Sequence, residues 1–150
     1  MIVPLNLPKA PLKLSKKNGQ VFVWCEIRNK LLVCTPEEWV RQHIIHFLLN
    51  EQKIPKGLIA AEYQITYNSR KKRADIVVFN RNGKPYLIVE CKAPQIEIDE
   101  SVLYQIATYN HTLGVCHLMM SNGIQNIYAE INDKTGSLKY SENFPQLDFS

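Results

Sequence analysis

The stretch RADIVVFNRNGKPYLIVECK, residues 73–92, constrains the fold more than any other part of the chain. Two apolar segments, residues 74–79 and Pro85–Cys91, flank the dipeptide Asn82-Gly83. Asn-Gly between β-rich segments is the strongest short-range signal for a hairpin with a two-residue type I′ turn. The register that such a turn predicts sets Arg81 opposite Lys84, Phe79 opposite Tyr86, Val77 opposite Ile88, and Asp75 opposite Glu90.

This hairpin brings charged side chains together in a hydrophobic ribbon. Side chains alternate along a strand, so Glu90 and Lys92 share a face, and that face also carries Asp75. Like charges on opposed residues destabilise a sheet. Mg²⁺ is held in proteins by one or two carboxylates together with phosphates and waters, so a divalent cation would turn the repulsion between Asp75 and Glu90 into a site. A surface salt-bridge cluster is the alternative, but the apolar flanks predict burial.

Several sequence blocks resemble a known family of nucleases. The order Asp75, then Glu90-Cys91-Lys92, is similar to the D…(D/E)xK signature of the PD-(D/E)xK superfamily. The nearest likeness is to the N-terminal nuclease domain of type I restriction enzyme R subunits, and it runs from about Thr35 to Gly123. The blocks that carry it are TPEEWVRQ, PKGLIAAE, RADIVVFNRNGKPYLIVECKAP, QIATYN and SNG.

The resemblance implies a restriction-endonuclease-like α/β core, in which a mixed sheet is flanked by helices in the order helix, three strands, helix, strand. It implies Mg²⁺-dependent hydrolysis of DNA phosphodiester bonds, with Mn²⁺ able to substitute. Asp75, Glu90 and the backbone carbonyl of Cys91 would bind the metal, while Lys92 would serve the attacking water. A non-catalytic nucleic-acid-binding module with the same fold is the competing hypothesis.

Composition sets broad limits. A chain of 150 residues is expected to form one domain with a sizeable core, divided into an N-terminal arm and hairpin (1–34), a core (35–131), and a C-terminal strand and tail (132–150). The formal charge of +4 favours polyanions only mildly. The sequence shows neither a membrane-spanning run nor a secretory leader, and the four cysteines lack CxxC spacing, so a cytoplasmic protein with reduced thiols is expected. Extra hairpins at the N-terminus and after Gly123 extend the core.

The expected partners also follow from these observations. DNA comes first, with restriction-modification subunits and a second copy of the chain as further candidates, and no membrane partner. A hairpin is predicted from residues 21–27 and 31–34. Its expected role is to contact DNA, to contact a second copy of the chain, or simply to extend the structure. The printed sequence contains no GxxxxGK[ST] phosphate loop, so the resemblance does not extend to the motor of R subunits.

The first helix is predicted from Thr35 to about residue 50. Thr35 is expected as the N-cap, and Glu38 would complete a capping box. In related nucleases a glutamate on this helix supplements the metal site, and Glu38 matches that position, so both roles stay open. Arg41 either approaches a phosphate or pairs with Glu37 one turn earlier.

The next strand and its connection supply further candidates. Ile59–Tyr67 is predicted as a strand, and its Glu62 either faces the metal or is solvated. Residues 68–73 are expected to link this strand to the next one. Phosphates attract clustered cations, so the basic side chains of this segment either contact DNA or form a solvated turn; they are Arg70, Lys71, Lys72 and Arg73.

The second helix is predicted over residues 99–112, with Asp99 near its N-cap. Gln105 and Tyr109 lie four apart and hence on one face. They resemble the QxxxY element of RecB-like nucleases, which lines the DNA side of the site; otherwise they are ordinary helix residues. Further strands are expected at 115–120, 124–131 and 137–140.

Overall fold

The computed structural model describes residues 3–67 and 69–150, apart from the side chains at positions 67, 105, 108, 109 and 112. The chain begins with a small antiparallel sheet of three strands, β1 (Leu14–Lys17), β2 (Gln20–Cys25) and β3 (Lys30–Val33). β2 and β3 form the predicted hairpin, and the N-terminal arm adds β1 as a third strand, which pairs with β2 over its full length.

A mixed sheet of six strands forms the centre of the molecule. Its strands are adjacent in chain order, and all neighbours are antiparallel except β6 and β7. Parallel neighbours need a crossover, and helix α2 (Glu100–Thr112) provides it. The six strands are β4 (Ile59–Tyr67), β5 (Arg70–Phe79), β6 (Pro85–Cys91), β7 (His117–Ser121), β8 (Asn126–Ile131) and β9 (Leu138–Ser141).

Helix α1 (Pro36–His46) begins where the sequence predicts it and continues into a π-helical turn, Phe47–Glu51. The Thr35 hydroxyl accepts a hydrogen bond from the Glu38 backbone N–H at 3.0 Å, which confirms the N-cap. The other half of the capping box does not form, because the Thr35 backbone N–H donates to the Val33 carbonyl instead. In α2, Asp99 caps the helix by accepting from the Val102 N–H.

The helices cover opposite faces of the six-stranded sheet. Val40 and Ile44 of α1, with Leu48 of the π-helical turn, pack against strand residues that include Ile76 and Val89. The strand residues on the opposite face of the sheet pack with α2 in a second cluster, which contains Leu103, Ala107, Val77, Ile88 and Leu118. These elements follow one another in the order α1, β4, β5, β6, α2, β7, and the predicted α/β class with a mixed sheet is confirmed. No helix in the described part of the chain is long and apolar enough to cross a membrane.

The turn of the central hairpin differs from the prediction. Residues 80–84 form a longer loop, in which the Asn80 side chain accepts from the backbone N–H groups of Asn82 and Lys84. A bulge after Val78 then sets Phe79 opposite Pro85 rather than Tyr86. Side chains of Asn readily form such local turns with the backbone. Beyond the bulge the predicted register is confirmed, because Val77 lies opposite Ile88.

Candidate active site

The candidate site is built around an irregularity in the sheet. The β4–β5 ladder pairs Ala61 with Ile76 and Tyr63 with Ala74, so Glu62 and Asp75 fall at the interruption between these pairs. Glu62 has a φ of +54°, which is uncommon for a residue other than glycine. Strained backbone of this kind tends to occur at functional sites.

The interruption resets the side-chain alternation. Ala61 and Ile76 pack on the α1 side of the sheet, whereas Ala74 packs in the α2 cluster even though it lies two residues from Ile76. The two acidic side chains at the interruption, Glu62 and Asp75, both reach helix α1, where they meet Arg41.

Arg41 is the centre of an ion-pair cluster. Its side chain is 8% exposed, and its Nη2 lies 2.8 Å from both Glu62 Oε1 and Asp75 Oδ1. Its Nη1 lies 2.8 Å from Glu38 Oε1, and the predicted pairing with Glu37 is present at 3.4 Å. A planar guanidinium suits such a shared position because it offers several donors in fixed directions. Arg41 is thus a buried cation surrounded by carboxylates. This arrangement includes the predicted pairing with Glu37 and differs from the alternative prediction, in which Arg41 approaches a phosphate.

Glu38 is fully occupied by contacts of its own. Its Oε2 accepts from Arg28 Nη2 at 2.7 Å and from Gln42 Nε2 at 2.9 Å, while its Oε1 faces Arg41. Arg28 follows β2 in the N-terminal sheet, so this sheet is tied to the candidate site. The sequence offered no signal for Arg28, because a basic residue between two strands is ordinary.

Asp75 and Glu90 form the acidic pair that the hairpin register predicts. Asp75 Oδ2 accepts from the backbone N–H of Cys91 at 2.7 Å. Burial, and then the charge of Asp75, raise the pKa of Glu90 to about 8, and a hydrogen bond between the two carboxyl groups adds to the shift. Near neutral pH the pair therefore holds a proton, as expected for two carboxyl groups that cannot both ionise at close range.

Glu37 faces the same site, and the sequence reasoning did not select it. Burial and the charge of Asp75 raise the pKa of Glu37, while Arg41 and Lys92 lower it. Lys92 also lowers the pKa of Glu90. Lys92 thus acts on Glu37 of α1 and on Glu90 of β6, so its exposed ammonium lies near both carboxyl groups. The available signal was the spacing of Glu37 and Arg41, which sets both on one helix face.

The donor set at this point suits Mg²⁺ in its chemistry. The described residues contain no group of three or more His, Cys, Asp or Glu side chains arranged to hold a metal ion. Mg²⁺ does not require one, because it commonly takes one or two carboxylates and keeps several waters. Asp75 and Glu90 supply such a pair, and the repulsion between their charges adds to the effect of burial in raising the pKa of Glu90.

The basic segment lies in a strand and not in a connection. The β4–β5 ladder continues to Tyr67 opposite Arg70, so all four residues from Arg70 to Arg73 belong to β5, which corrects the predicted link at 68–73. Their side chains are exposed. Arg73 Nη1 lies 3.7 Å from Glu62 Oε2, which connects this segment to the candidate site.

Gln105 and Tyr109 fall within α2, and their side chains lie outside the described residues. Their proposed contact with substrate stays a prediction. Cys91 is a buried free cysteine whose thiol packs in the α1 cluster, so only its backbone is a candidate ligand.

The molecule has an α/β fold in which a mixed six-stranded sheet lies between two helices, and this fold is consistent with a nuclease-like core. The chain belongs to the family described as the type I restriction enzyme R protein N terminus, whose model matches residues 36–145. This confirms the resemblance seen in the sequence and relates the chain to restriction-modification and to nucleases. No curated protein matches the chain.

Proposed function

We propose that this protein hydrolyses DNA phosphodiester bonds with the help of Mg²⁺, on a restriction-endonuclease-like core. The observation that carries the proposal is the partly buried pair of Asp75 and Glu90, in which the pKa of Glu90 is raised to about 8. Lys92 lies beside this pair, as the nuclease signature requires. Membership of the restriction enzyme R family supports the same conclusion.

The metal would be held by Asp75, Glu90 and the backbone carbonyl of Cys91. A bound Mg²⁺ or Mn²⁺ lowers the pKa of a water and offsets charge on phosphate oxygens. Arg41 keeps Asp75 in place from the α1 side through its 2.8 Å contact. Glu38 then acts by fixing Arg41, and Glu37 is the carboxylate of α1 that faces the site.

Other residues of the chain would handle the substrate. Lys92 would orient the attacking water or neutralise charge that builds up on the phosphate. Arg70, Lys71, Lys72 and Arg73 would contact phosphates along β5, and Gln105 and Tyr109 would position the strand that is cut. DNA is thus the proposed partner, with restriction-modification subunits as further partners.

A binding module without catalysis is the second candidate, and one contact favours it. Arg41 already places a cation 2.8 Å from Asp75, so the acidic group is partly neutralised without any metal. In this alternative the site would stabilise the fold, and the basic strand would bind nucleic acid.

The deciding experiment measures cleavage and binding on the same variants. Purified protein is incubated with Mg²⁺ or Mn²⁺ and with single-stranded, duplex and supercoiled DNA. Lys92→Ala should keep metal and DNA affinity while cleavage falls roughly 10²–10⁴-fold, and Asp75→Asn should lose Mn²⁺ binding in calorimetry. Lys134→Ala, on an exposed turn, is the matched control and should cleave normally.

The nuclease proposal would be excluded if the wild type cleaved no DNA with either metal and if wild type and Asp75→Asn bound Mn²⁺ equally. The non-catalytic binding module would then be the remaining candidate.

A further inference from the structure

The outer face of the N-terminal sheet carries two exposed aliphatic side chains and two half-buried aromatic ones. Phe22 lies opposite Val33 and Trp24 opposite Leu31, so the four share one face of β2 and β3. Leu31 is 52% and Val33 41% exposed, while the intervening Val23 is fully buried on the other face. Within the described residues, none of these four side chains belongs to the hydrophobic clusters of the molecule.

The same segment holds the surplus positive charge of the chain. Residues 1–34 contain six of the 18 Lys and Arg residues but only one of the 14 Asp and Glu residues. The rest of the chain is close to neutral, with twelve basic and thirteen acidic residues. Ser15 lies opposite Phe22 and Lys17 opposite Gln20, so alternation along β1 sets Lys17 on the outer face. Lys13 directly precedes β1 and contacts Glu26, which follows β2.

The positive charge of this segment and its aromatic side chains indicate which kind of ligand binds the outer face. A symmetric contact with a second copy would bring the positive surfaces against each other. Duplex DNA keeps its base faces stacked inside the helix, where sheet aromatics cannot reach them. Single-stranded nucleic acid offers both unstacked bases and phosphates, and proteins bind it by combining aromatic side chains with basic ones.

We propose that the outer face of the N-terminal sheet binds a single-stranded segment of nucleic acid. Bases stack on Phe22 and Trp24, and phosphates meet Lys13 and Lys17. Lys13 contacts Glu26 at 3.2 Å, but its side chain is 71% exposed, so it can exchange this partner for a phosphate. The inference rests on the proposed function and deepens it by naming the form of nucleic acid that the protein binds.

The test uses the full chain in chelator, so that binding is measured without cleavage. An oligothymidine and a duplex of the same length are titrated by fluorescence anisotropy. Trp24→Leu should weaken oligothymidine binding by about tenfold or more, whereas Trp24→Phe, which can still stack, should retain most of the affinity. Replacing Lys13 and Lys17 with Gln should lower the salt slope by about 1.4, since each phosphate contact on a single strand contributes about 0.7. The control replaces Lys134 and Lys139, which are exposed at the opposite end of the chain.

Tryptophan fluorescence gives a second readout. Oligothymidine should quench Trp24, while Trp39 is buried and donates its Nε1–H to the Val3 carbonyl, so it should change little. Equal affinity of all variants for oligothymidine would overturn the proposal. So would duplex binding that is tighter and equally sensitive to Trp24→Leu, or a wild-type dimer without nucleic acid that Trp24→Leu dissociates.

The two proposals can fail separately. Oligothymidine binding that depends on Trp24, without any cleavage by the wild type, supports the binding face and removes the nuclease. Cleavage that depends on Lys92, with binding unaffected by Trp24→Leu, removes the binding face alone.

Discussion

Glu90 is the residue whose charge state the fold changes most clearly. An unfolded glutamate titrates near pH 4.3, whereas burial and Asp75 raise the pKa of Glu90 to about 8 in the folded chain. The folded state thus binds a proton that the unfolded state has already released between these two values. The contribution of Glu90 to stability is complete below about pH 4 and is lost as the pH rises through about 8.

This gives a prediction for the metal-free protein. In chelator, the free energy of unfolding should fall from pH 5 to pH 8, with a contribution from Glu90 of at most about 1.4 kcal/mol per pH unit. Glu90→Gln should flatten this part of the profile, because the amide does not titrate. Glu142→Gln removes an exposed carboxyl and should leave the profile as in the wild type. Parallel profiles for wild type and Glu90→Gln in urea unfolding would contradict the assignment.

At the same scale, the sequence allowed the acidic pair to be predicted but not the roles of Glu37 and Glu38. Hairpin register depends on local pairing, so the proximity of Asp75 and Glu90 could be inferred from one stretch. The contacts of Glu38 depend on Arg28, which comes from another sheet. Adjacent glutamates on a helix point in directions about 100° apart, and only the packed structure decides which of them faces the strands.

Among the elements, α1 and the N-terminal sheet are joined by a mostly buried ion pair. The side chains of Arg28 and Glu38 are 13% and 8% exposed, and their atoms lie 2.7 Å apart. Hydrogen bonds to charged groups stabilise more than neutral ones, and a buried charge that loses its partner is costly. The contact between Lys13 and Glu26 also lies on this sheet, but it is solvated.

We therefore expect Arg28→Met to lower the free energy of unfolding by about 1.5–3 kcal/mol. Lys13→Met is the control within the same sheet and should cost no more than about 1 kcal/mol. A double-mutant cycle with Glu38→Gln isolates the pair from the lost packing of the arginine stem. If Arg28→Met and Lys13→Met unfold at the same urea concentration, the ion pair of Arg28 and Glu38 does not stabilise the junction between the N-terminal sheet and α1.

Helix starts and the central hairpin could be predicted because their signals are local. Thr35 and Asp99 cap their helices through hydrogen bonds three residues apart. The interruption at Glu62 could not be predicted, since IAAEYQITY is an ordinary strand pattern and the contact of Glu62 with Arg41 joins two different elements. The prediction of a two-residue turn at Asn82-Gly83 was wrong. The Asn80 side chain accepts hydrogen bonds from the backbone N–H groups of Asn82 and Lys84, and these bonds favour a longer loop.

At the scale of the whole molecule, positive charge is concentrated in two places. One is the N-terminal segment, and the other is the exposed start of β5, from Arg70 to Arg73. The formal charge of +4 conceals this distribution, because the remaining residues are acidic on balance. Phosphate contacts of Lys and Arg make DNA binding salt-dependent, so the salt dependence can report which of the two regions meets the backbone of a duplex.

Replacing Arg70, Lys71, Lys72 and Arg73 with Gln should weaken duplex binding. The slope of log affinity against log salt should become shallower by about 0.9 for each phosphate contact that is lost. Cross-strand pairing of β5 with β4 uses backbone groups and continues after the substitution, so circular dichroism and urea unfolding should confirm that the variant is folded. The matched control replaces Lys53, Lys84, Lys134 and Lys139 with Gln, which removes the same charge elsewhere. A folded β5 variant with the wild-type slope would mean that this strand is merely solvated and that duplex DNA is bound by another surface.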